Sequence, residues 1–173
     1  MNYDISIIIP FKNATKFLLK SINNSLRIIK EINAQIIYVD DCSDDNSYNI
    51  LNNKIPKQKK IILLKTNSSG GPGHARNLGL KSAEGKKIIF LDIDDDLIIK
   101  NLKLLLKFSK KKNCNLINFG RILINKNSKI NNFLHYNSNN LKKFFIQNNN
   151  MNVIFFLFEK KFIFKNNLLF NKG

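Results

Sequence analysis

Short apolar runs that alternate with amphipathic stretches are the feature of this sequence that most constrains its fold. Four runs rich in β-branched residues each end in a polar cluster or turn, which predicts buried strands at residues 5–10, 35–39, 61–64 and 88–91. Stretches with apolar residues at helical spacing separate them, which predicts helices at 15–30 (capped by Thr15), around 48–51, at 75–83 and at 97–108. This alternation indicates an α/β fold with a mainly parallel sheet and helices on both faces.

The pattern weakens after residue 113. Further strands are predicted at 116–119 and 122–124, the Lys- and Asn-rich stretch 125–140 is expected to hold loops or short helices, and residues 153–158 are strongly apolar. Neither a linker nor an internal repeat interrupts the chain, and 173 residues suffice for one core that buries roughly 70% of the unfolded surface. We therefore expect residues 1–173 to form a single domain.

The formal net charge of +17 is compatible with a nucleic acid, an anionic lipid or a phosphorylated substrate as partner. A second interpretation stays open, because Lys, Asn and Ile are abundant even where no motif occurs, as an AT-rich coding sequence would produce. Cys42 and Cys114 form no CxxC pair, which argues against a disulfide framework or a zinc site. Neither a signal peptide nor a long apolar segment is recognisable, so we expect a cytoplasmic protein that is soluble or membrane-peripheral.

Polar residues gather where the predicted strands end. Asn13 follows the first strand, Asp40 and Asp41 the second, a glycine-rich loop at 70–73 the third, and an acidic cluster from Asp92 the fourth. In parallel sheets ligands bind beyond the carboxyl ends of the strands. These residues therefore predict one ligand site at that edge.

The acidic cluster comprises Asp92, Asp94, Asp95 and Asp96. Carboxylates packed this closely repel one another unless a cation neutralises them, and hard oxygen ligands favour Mg²⁺ or Mn²⁺. Asp92 and Asp94 are the preferred metal candidates. The alternative is a solvated turn that caps the following helix, which is the role we expect for Asp96.

The segment around the second strand end contains several acidic and hydroxyl side chains. Asp41 can accept a hydrogen bond from a pyrimidine N–H or a ribose hydroxyl, and we favour ligand contact for it. Asp40, Ser43 and Asp45 are open to a structural role, because such side chains commonly bond to backbone amides in turns.

The segment "GGPGHARNLGL" combines flexible glycines with the start of a helix whose amide end could face an anion, and Arg76 adds positive charge there. Its spacing matches neither a P-loop nor GxGxxG. His74 is expected to be a surface loop residue rather than a ligand.

Four blocks in order, "SIIIPFKNATKFLLKSI", "IIYVDDCSDDNS", "ARNLGLKSAEGKKIIFLDIDD" and "LFEKKFIFKNNLLFNKG", closely resemble glycosyltransferase family 2. The resemblance implies a GT-A fold, which is Rossmann-like, and a nucleotide-diphosphate sugar donor, usually UDP-linked, bound with Mn²⁺ or Mg²⁺. It also implies sugar transfer with inversion to a glycan or lipid-linked acceptor, in the cytoplasm and beside the inner membrane face, with no nucleic acid partner. Residues 1–112 would form the nucleotide-sugar-binding half and 113–173 the start of an acceptor-side half.

The resemblance carries over residue by residue. The family's DXD motif corresponds to Asp92-Ile93-Asp94, and its RN pair corresponds to Arg76 and Asn77. This sequence departs from the family's usual pattern at Cys42, Asp44 and Asn46. Donor contacts are implied for six residues: Pro10, Phe11, Asn13, Asp41, Arg76 and Asp92. The family's general base follows a segment similar to "NLLFNKG", so it is expected beyond Gly173 and no catalytic residue is assigned within the chain.

Two other classes remain as alternatives. The segment "IIFLDIDDDL" is also similar to the first motif of haloacid-dehalogenase-type phosphatases, although it starts far from the N-terminus here. A non-catalytic basic module that contacts nucleic acid or an anionic membrane is the other alternative, but RNA-binding and zinc-finger patterns are missing from the sequence. Selective binding of a nucleotide-sugar donor would distinguish a glycosyltransferase from both alternatives.

Overall fold

The structure is a computed structural model that describes residues 3–113, 115–119, 134–136, 154 and 156–171. In these ranges a seven-stranded sheet has the order β3-β2-β1-β4-β7-β5-β6. Its strands are β1 (Ile5–Phe11), β2 (Ala34–Asp40), β3 (Ile61–Lys65), β4 (Lys87–Phe90), β5 (Leu116–Asn118), β6 (Leu134–Tyr136) and β7 (Phe156–Glu159).

Strands β1 to β4 form the parallel part of the sheet, and the remaining strands pair antiparallel. Strand β1 lies between β2 and β4, and β3 pairs with the outer side of β2. Strand β7 runs antiparallel to β4, and β5 is antiparallel to both β7 and β6. Because parallel strands buried on both faces need unbroken apolar sequence, all seven residues of β1 and of β2 are buried.

Helices cover both faces of the sheet, as predicted. They are α1 (Leu18–Glu31), α2 (Ser47–Lys54), α3 (Gly71–Ser82), α4 (Ile99–Lys112) and α5 (Lys160–Lys165). Apolar residues of α1, α2 and α4 pack with Ile7 and Ile9 of β1. The intervening Ile8 faces the other side, where it packs with α3 and α5. The prediction of an α/β fold with a mainly parallel sheet is therefore confirmed.

Three helices begin at residues other than those predicted. Helix α1 begins at Leu18 instead of Thr15, and its N-cap residue, Phe17, makes no side-chain cap. Helix α3 begins at Gly71 instead of residue 75, because Pro72 has its fixed φ where a first helical turn needs it. Helix α4 spans Ile99–Lys112, later at both ends than the predicted 97–108.

The region after α4 shows one further difference. Strand β6 lies within 125–140, where loops or short helices were expected. It pairs with β5, so its formation depends on a distant partner strand that local sequence does not reveal. The strand predicted at 122–124 lies outside the described residues.

Helix α3 approaches the sheet closely at Gly79. A Cβ atom at this position would collide with Cγ2 of Ile8 and lie 3.3 Å from Cγ2 of Val39. The missing side chain therefore lets α3 lie directly on β1 and β2. This contact holds the start of α3 beside the carboxyl ends of both strands.

Candidate functional site

The loops that follow β1, β2, β3 and β4 meet at one edge of the sheet. They carry Asn13, Asp41, the glycines that begin α3, and the acidic cluster from Asp92. Because these four strands are parallel, their carboxyl ends share that edge. These residues therefore share one edge of the sheet, as predicted, and ligand binding at that edge stays a prediction.

The β2–α2 loop is held by its own carboxylates. Asp40 is fully buried, and its Oδ1 accepts hydrogen bonds from the Ser43 N–H, at 3.0 Å, and from the Ser43 hydroxyl. Asp45 Oδ1 accepts a hydrogen bond from the Ser47 N–H at 3.0 Å, and its Oδ2 accepts one from the Thr15 N–H at 3.4 Å. The structural roles considered for Asp40, Ser43 and Asp45 are confirmed.

Asn13 ties the first loop to the second. It adopts a left-handed conformation, with φ of 52°, which Asn tolerates better than most residues. Its Oδ1 accepts hydrogen bonds from the N–H groups of Asp44, at 2.8 Å, and Asp45, at 3.4 Å, while its own N–H donates to Ser43 Oγ at 3.0 Å. Asn13 therefore sets the spacing between the two loops.

Pro10 and Phe11 support this edge from below. Both are buried at the end of β1, and the Phe11 ring packs edge-on against Tyr38 with 6.5 Å between ring centroids. The Phe11 carbonyl accepts a hydrogen bond from the Asp41 N–H at 2.9 Å. These contacts are structural, and donor contact by Pro10 and Phe11 stays a prediction.

Asp41 fastens the β3–α3 loop. Its side chain is 5% exposed. Oδ1 accepts hydrogen bonds from Thr66 Oγ1, at 3.2 Å, and the Gly70 N–H, at 3.1 Å. Oδ2 accepts hydrogen bonds from Ser69 Oγ, at 3.1 Å, and the Gly71 N–H, at 2.9 Å. Because a carboxylate offers about four acceptor positions, all of them are occupied by the protein.

The anion at the start of α3 is thus the Asp41 carboxylate. The sequence predicted an anion at the amide end of α3 and a ligand in contact with Asp41. In the structure the two predicted features contact each other, because the Gly71 N–H donates to the Asp41 carboxylate. His74 lies in the first turn of α3 and not in a loop, and its Nδ1 is 4.0 Å from Asp41 Oδ1. Contact between Asp41 and a donor stays a prediction.

Arg76 links α3 to the acidic cluster. Its side chain is 12% exposed, and Nη2 donates a hydrogen bond to Asp92 Oδ1 at 2.9 Å. The guanidinium carbon lies 5.5 Å from the centroid of the Phe170 ring, which also packs against Phe90 at 5.2 Å between centroids. In the described part of the chain, Nε is buried without a hydrogen-bond partner. Arg76 therefore brings a guanidinium charge directly against the acidic cluster.

The side-chain amide of Asn77 holds the backbone of Phe170 in place. Asn77 Nδ2 donates to the Phe170 carbonyl at 2.9 Å, and Asn77 Oδ1 accepts from the Phe170 N–H at 3.0 Å. A Cβ atom at Gly73 would lie 3.0 Å from Phe170 Cβ. Sequence reasoning matched Asn77 to the family's RN pair but missed Phe170, whose only signal was its apolar character near the chain end.

Asp96 does not cap α4, which corrects the expected role. It reaches back to α1, where its Oδ2 lies 2.8 Å from Lys20 Nζ and its Oδ1 accepts a hydrogen bond from Asn24 Nδ2 at 3.2 Å. Helix α4 begins only at Ile99, and its N-cap residue, Ile98, makes no side-chain cap. The distance to the helix start explains the difference, because a capping side chain must reach the N–H groups of the first turn.

The remaining acidic side chains influence one another. Partial burial, followed by the negative charges of Asp94 and Asp92, raises the pKa of the Asp95 carboxyl. No three His, Cys, Asp or Glu side chains in the described ranges converge to enclose a metal ion. Carboxylate oxygens are ligands that Mg²⁺ and Mn²⁺ prefer, and metal binding by Asp92 and Asp94 stays a prediction.

A parallel α/β sheet with an arginine and acidic loops at its carboxyl edge is an arrangement that many nucleotide-binding proteins share. The model of glycosyl transferase family 2 matches residues 6–170, and the chain belongs to this family. It is 41% identical over 104 residues to an uncharacterized glycosyltransferase of Haemophilus influenzae, covering 60% of this chain and 41% of that protein. It is 36% identical over 100 residues to the poly(ribitol-phosphate) beta-N-acetylglucosaminyltransferase TarS of Staphylococcus aureus, covering 57% and 17%.

Solved structures show the same fold. The S. aureus TarS 1-349 structure in complex with UDP-GlcNAc has a TM-score of 0.72 at 22% identity, covering 98% of this chain and 49% of that one. The mannosyltransferase PcManGT of Pyrobaculum calidifontis, in complex with GDP-Man and Mn²⁺, has a TM-score of 0.57 at 18% identity, covering 67% and 35%. The GT-A fold is thereby confirmed.

The chain spans at most about half the length of these proteins, between 17% and 49% of those named. None of the helices in the described ranges is long and apolar enough to cross a membrane.

Proposed function

We propose that this chain binds a nucleoside-diphosphate sugar, preferably UDP-linked, at the carboxyl edge of β1, β2 and β4. The bound sugar is transferred with inversion to a glycan or lipid-linked acceptor in the cytoplasm. Membership of glycosyl transferase family 2 supports this class of reaction. The general base of the transfer is not among the residues named in this proposal, and its identity stays a prediction.

One observation carries the proposal. Arg76 is largely buried at the site, where it pairs with Asp92 at 2.9 Å and lies 5.5 Å from the centroid of the Phe170 ring. An arginine fixed in this way offers a planar set of donors for phosphate oxygens. The acidic residues beside it supply carboxylates of the kind that accompany a metal-bound diphosphate.

Asp92 and Asp94 are the residues that would hold Mn²⁺ or Mg²⁺. The metal would neutralise negative charge that develops on the diphosphate as the sugar leaves. The chain's own contribution is positional: Phe170 packs on the Arg76 guanidinium, and Arg76 orients Asp92. The Asp41 latch, which comprises Asp41 and its contacts to Thr66, Ser69, Gly70 and Gly71, fixes the neighbouring loop.

Calorimetric titration with UDP, with and without Mn²⁺, tests the proposal. Wild-type binding should strengthen when Mn²⁺ is present, and Asp94→Asn should weaken that binding by at least about tenfold because a carboxylate ligand is removed. Without metal, Asp94→Asn should bind UDP no more weakly than the wild type, since it removes a negative charge beside a polyanion.

Glu31→Gln provides the matched control. It removes the same charge at the far end of α1, where Glu31 pairs with Lys103, and it should leave UDP binding unchanged. Equal affinity of the wild type and Asp94→Asn in Mn²⁺ would contradict the metal assignment. UDP binding that is undetectable in all conditions would contradict the donor assignment.

The phosphatase alternative is not favoured by the comparisons, because the family match covers residues 6–170 and includes the segment that suggested it. The relatives named above are described as glycosyltransferases, which likewise does not favour a basic nucleic-acid-binding module.

A further inference from the structure

Helix α4 carries an unusual concentration of positive charge. Its sequence IKNLKLLLKFSKKK contains six lysines in 14 residues and no acidic residue. The whole chain has 29 Lys and Arg in 173 residues, so the density in α4 is more than twice the average. A composition drift that acts on the whole sequence does not explain this local excess.

The lysines of α4 lie on its exposed side. Successive residues of a helix are about 100° apart, so positions 100, 104, 107 and 111 form one stripe. Lys100, Lys107 and Lys111 of this stripe are exposed, and Leu104 between them is 53% exposed. The opposite side is buried in the core through Leu102, Leu105, Leu106 and Ser109. We call Lys100, Leu104, Lys107 and Lys111 the α4 stripe.

The described part of the chain leaves the charge on this stripe without ion-pair partners. Neighbouring Lys103 pairs with Glu31 at 2.8 Å, and Lys110 pairs with Asp4 at 3.1 Å. Lys100, Lys107 and Lys111 have no carboxylate within 4 Å in the part of the chain that the structure describes. Their ammonium groups are therefore available to an external anion.

We propose that the α4 stripe is a docking surface for an anionic lipid bilayer. Lysines near an anionic leaflet each gain attraction from its surface potential, and the exposed Leu104 at their centre can enter the headgroup region. Because the apolar side of α4 is used by the core, the helix lies on the bilayer without inserting. Binding is consequently reversible and sensitive to salt.

Docking through α4 orients the candidate site. The acidic loop that holds Asp92 and Asp94 leads directly into α4, and Lys100 is the second residue of that helix. A bilayer that contacts the stripe therefore lies next to the β4–α4 loop. This inference goes beyond the proposed function and does not depend on it, because lipid binding requires neither a donor nor transfer.

Vesicle sedimentation tests the charge. The wild type should bind vesicles with about one third phosphatidylglycerol, and the triple variant Lys100→Gln, Lys107→Gln, Lys111→Gln should bind on the order of 100-fold more weakly, at about fivefold for each lysine. The control variant Lys54→Gln, Lys57→Gln, Lys59→Gln has the same net charge, and its substitutions are also at exposed positions. It should retain most of the wild-type binding.

Fluorescence tests the position of Leu104. The chain contains no tryptophan, so Leu104→Trp introduces a single reporter. Its emission should shift to the blue on anionic vesicles and stay constant on phosphatidylcholine vesicles. Leu169→Trp is the matched control, because Leu169 is 51% exposed and lies in the segment that packs against α3 on the other face of the sheet. Its emission should remain unchanged on both.

Three outcomes would overturn the proposal. Equal vesicle binding by the two triple variants would show that the attraction is unspecific. Equal shifts at both tryptophans would show that the stripe is not the contact. Failure of the wild type to bind anionic vesicles, with α4-dependent binding of a DNA duplex, would assign the stripe to nucleic acid.

Discussion

Single acidic residues in the candidate site have separate duties that their sequence positions do not reveal. Asp40 and Asp41 are adjacent and both buried, yet Asp40 closes its own loop through Ser43. Asp41 instead fastens the next loop through Gly70 and Gly71. Since alternate residues of a strand face opposite sides, adjacent carboxylates at a strand end accept hydrogen bonds from different loops.

Asp41→Ala should destabilise the fold. It leaves the N–H groups of Gly70 and Gly71 without their acceptor, and each such loss costs about 1–3 kcal/mol. We expect the free energy of unfolding, measured by urea denaturation, to fall by about 2–4 kcal/mol. Asp44→Ala, at an exposed position in the same loop, should change it by less than about 0.5 kcal/mol. Equal effects of the two variants would refute the Asp41 latch.

Asp45 should make stability depend on pH on the acidic side. Its slight burial would raise the carboxyl pKa, but hydrogen bonds from Ser47 and Thr15 outweigh this and lower it below the ordinary 3.8. A lowered folded-state pKa gives stability that is present above the unfolded pKa and is lost as pH falls through the folded one. The stability gap between wild type and Asp45→Ala should thus be constant near neutral pH and shrink below 3.8. A gap that widens on acidification would contradict the assignment.

At the scale of elements, the sequence predicted what local pattern determines. Strands β1 to β4 were foreseen because their apolar runs need no partner to be recognised, and the site edge followed from their parallel order. Strand β6 and the seat of Phe170 were missed because distant residues create them. The role of Asp96 was missed because Lys20 and Asn24 compete for its carboxylate from another helix.

Asn77→Ala should loosen the segment 168–171 from α3. It removes the two hydrogen bonds that join the Asn77 amide to the backbone of Phe170. Loss of about 1.4 kcal/mol of local stability corresponds to tenfold faster amide exchange, so we expect acceleration of about that size at Phe170. Asn166→Ala is the control, since the Asn166 side chain, directly after the end of α5, donates to the Phe162 carbonyl in that helix. The same acceleration in both variants would argue against this role of the Asn77–Phe170 hydrogen bonds.

For the whole molecule, a net charge of +17 means that self-repulsion acts on the folded state. Raising NaCl from about 0.05 M to about 0.5 M shortens the range of this repulsion to a few ångströms. We expect the melting temperature to rise by about 2–5 °C over this interval. A calorimetric scan at several NaCl concentrations measures it. A fall in melting temperature would show that ion pairs outweigh repulsion.

The contact between Asp41 and the first turn of α3 limits where a visiting polyanion can settle. In many nucleotide-binding proteins the N–H groups at a helix N-terminus bind the phosphates. Here the Asp41 carboxylate already accepts the N–H groups of Gly70 and Gly71. A second negative group would meet repulsion there and be diverted sideways, toward the guanidinium of Arg76. The pyrophosphate of a bound nucleotide would consequently lie along the side of α3 instead of at its N-terminus.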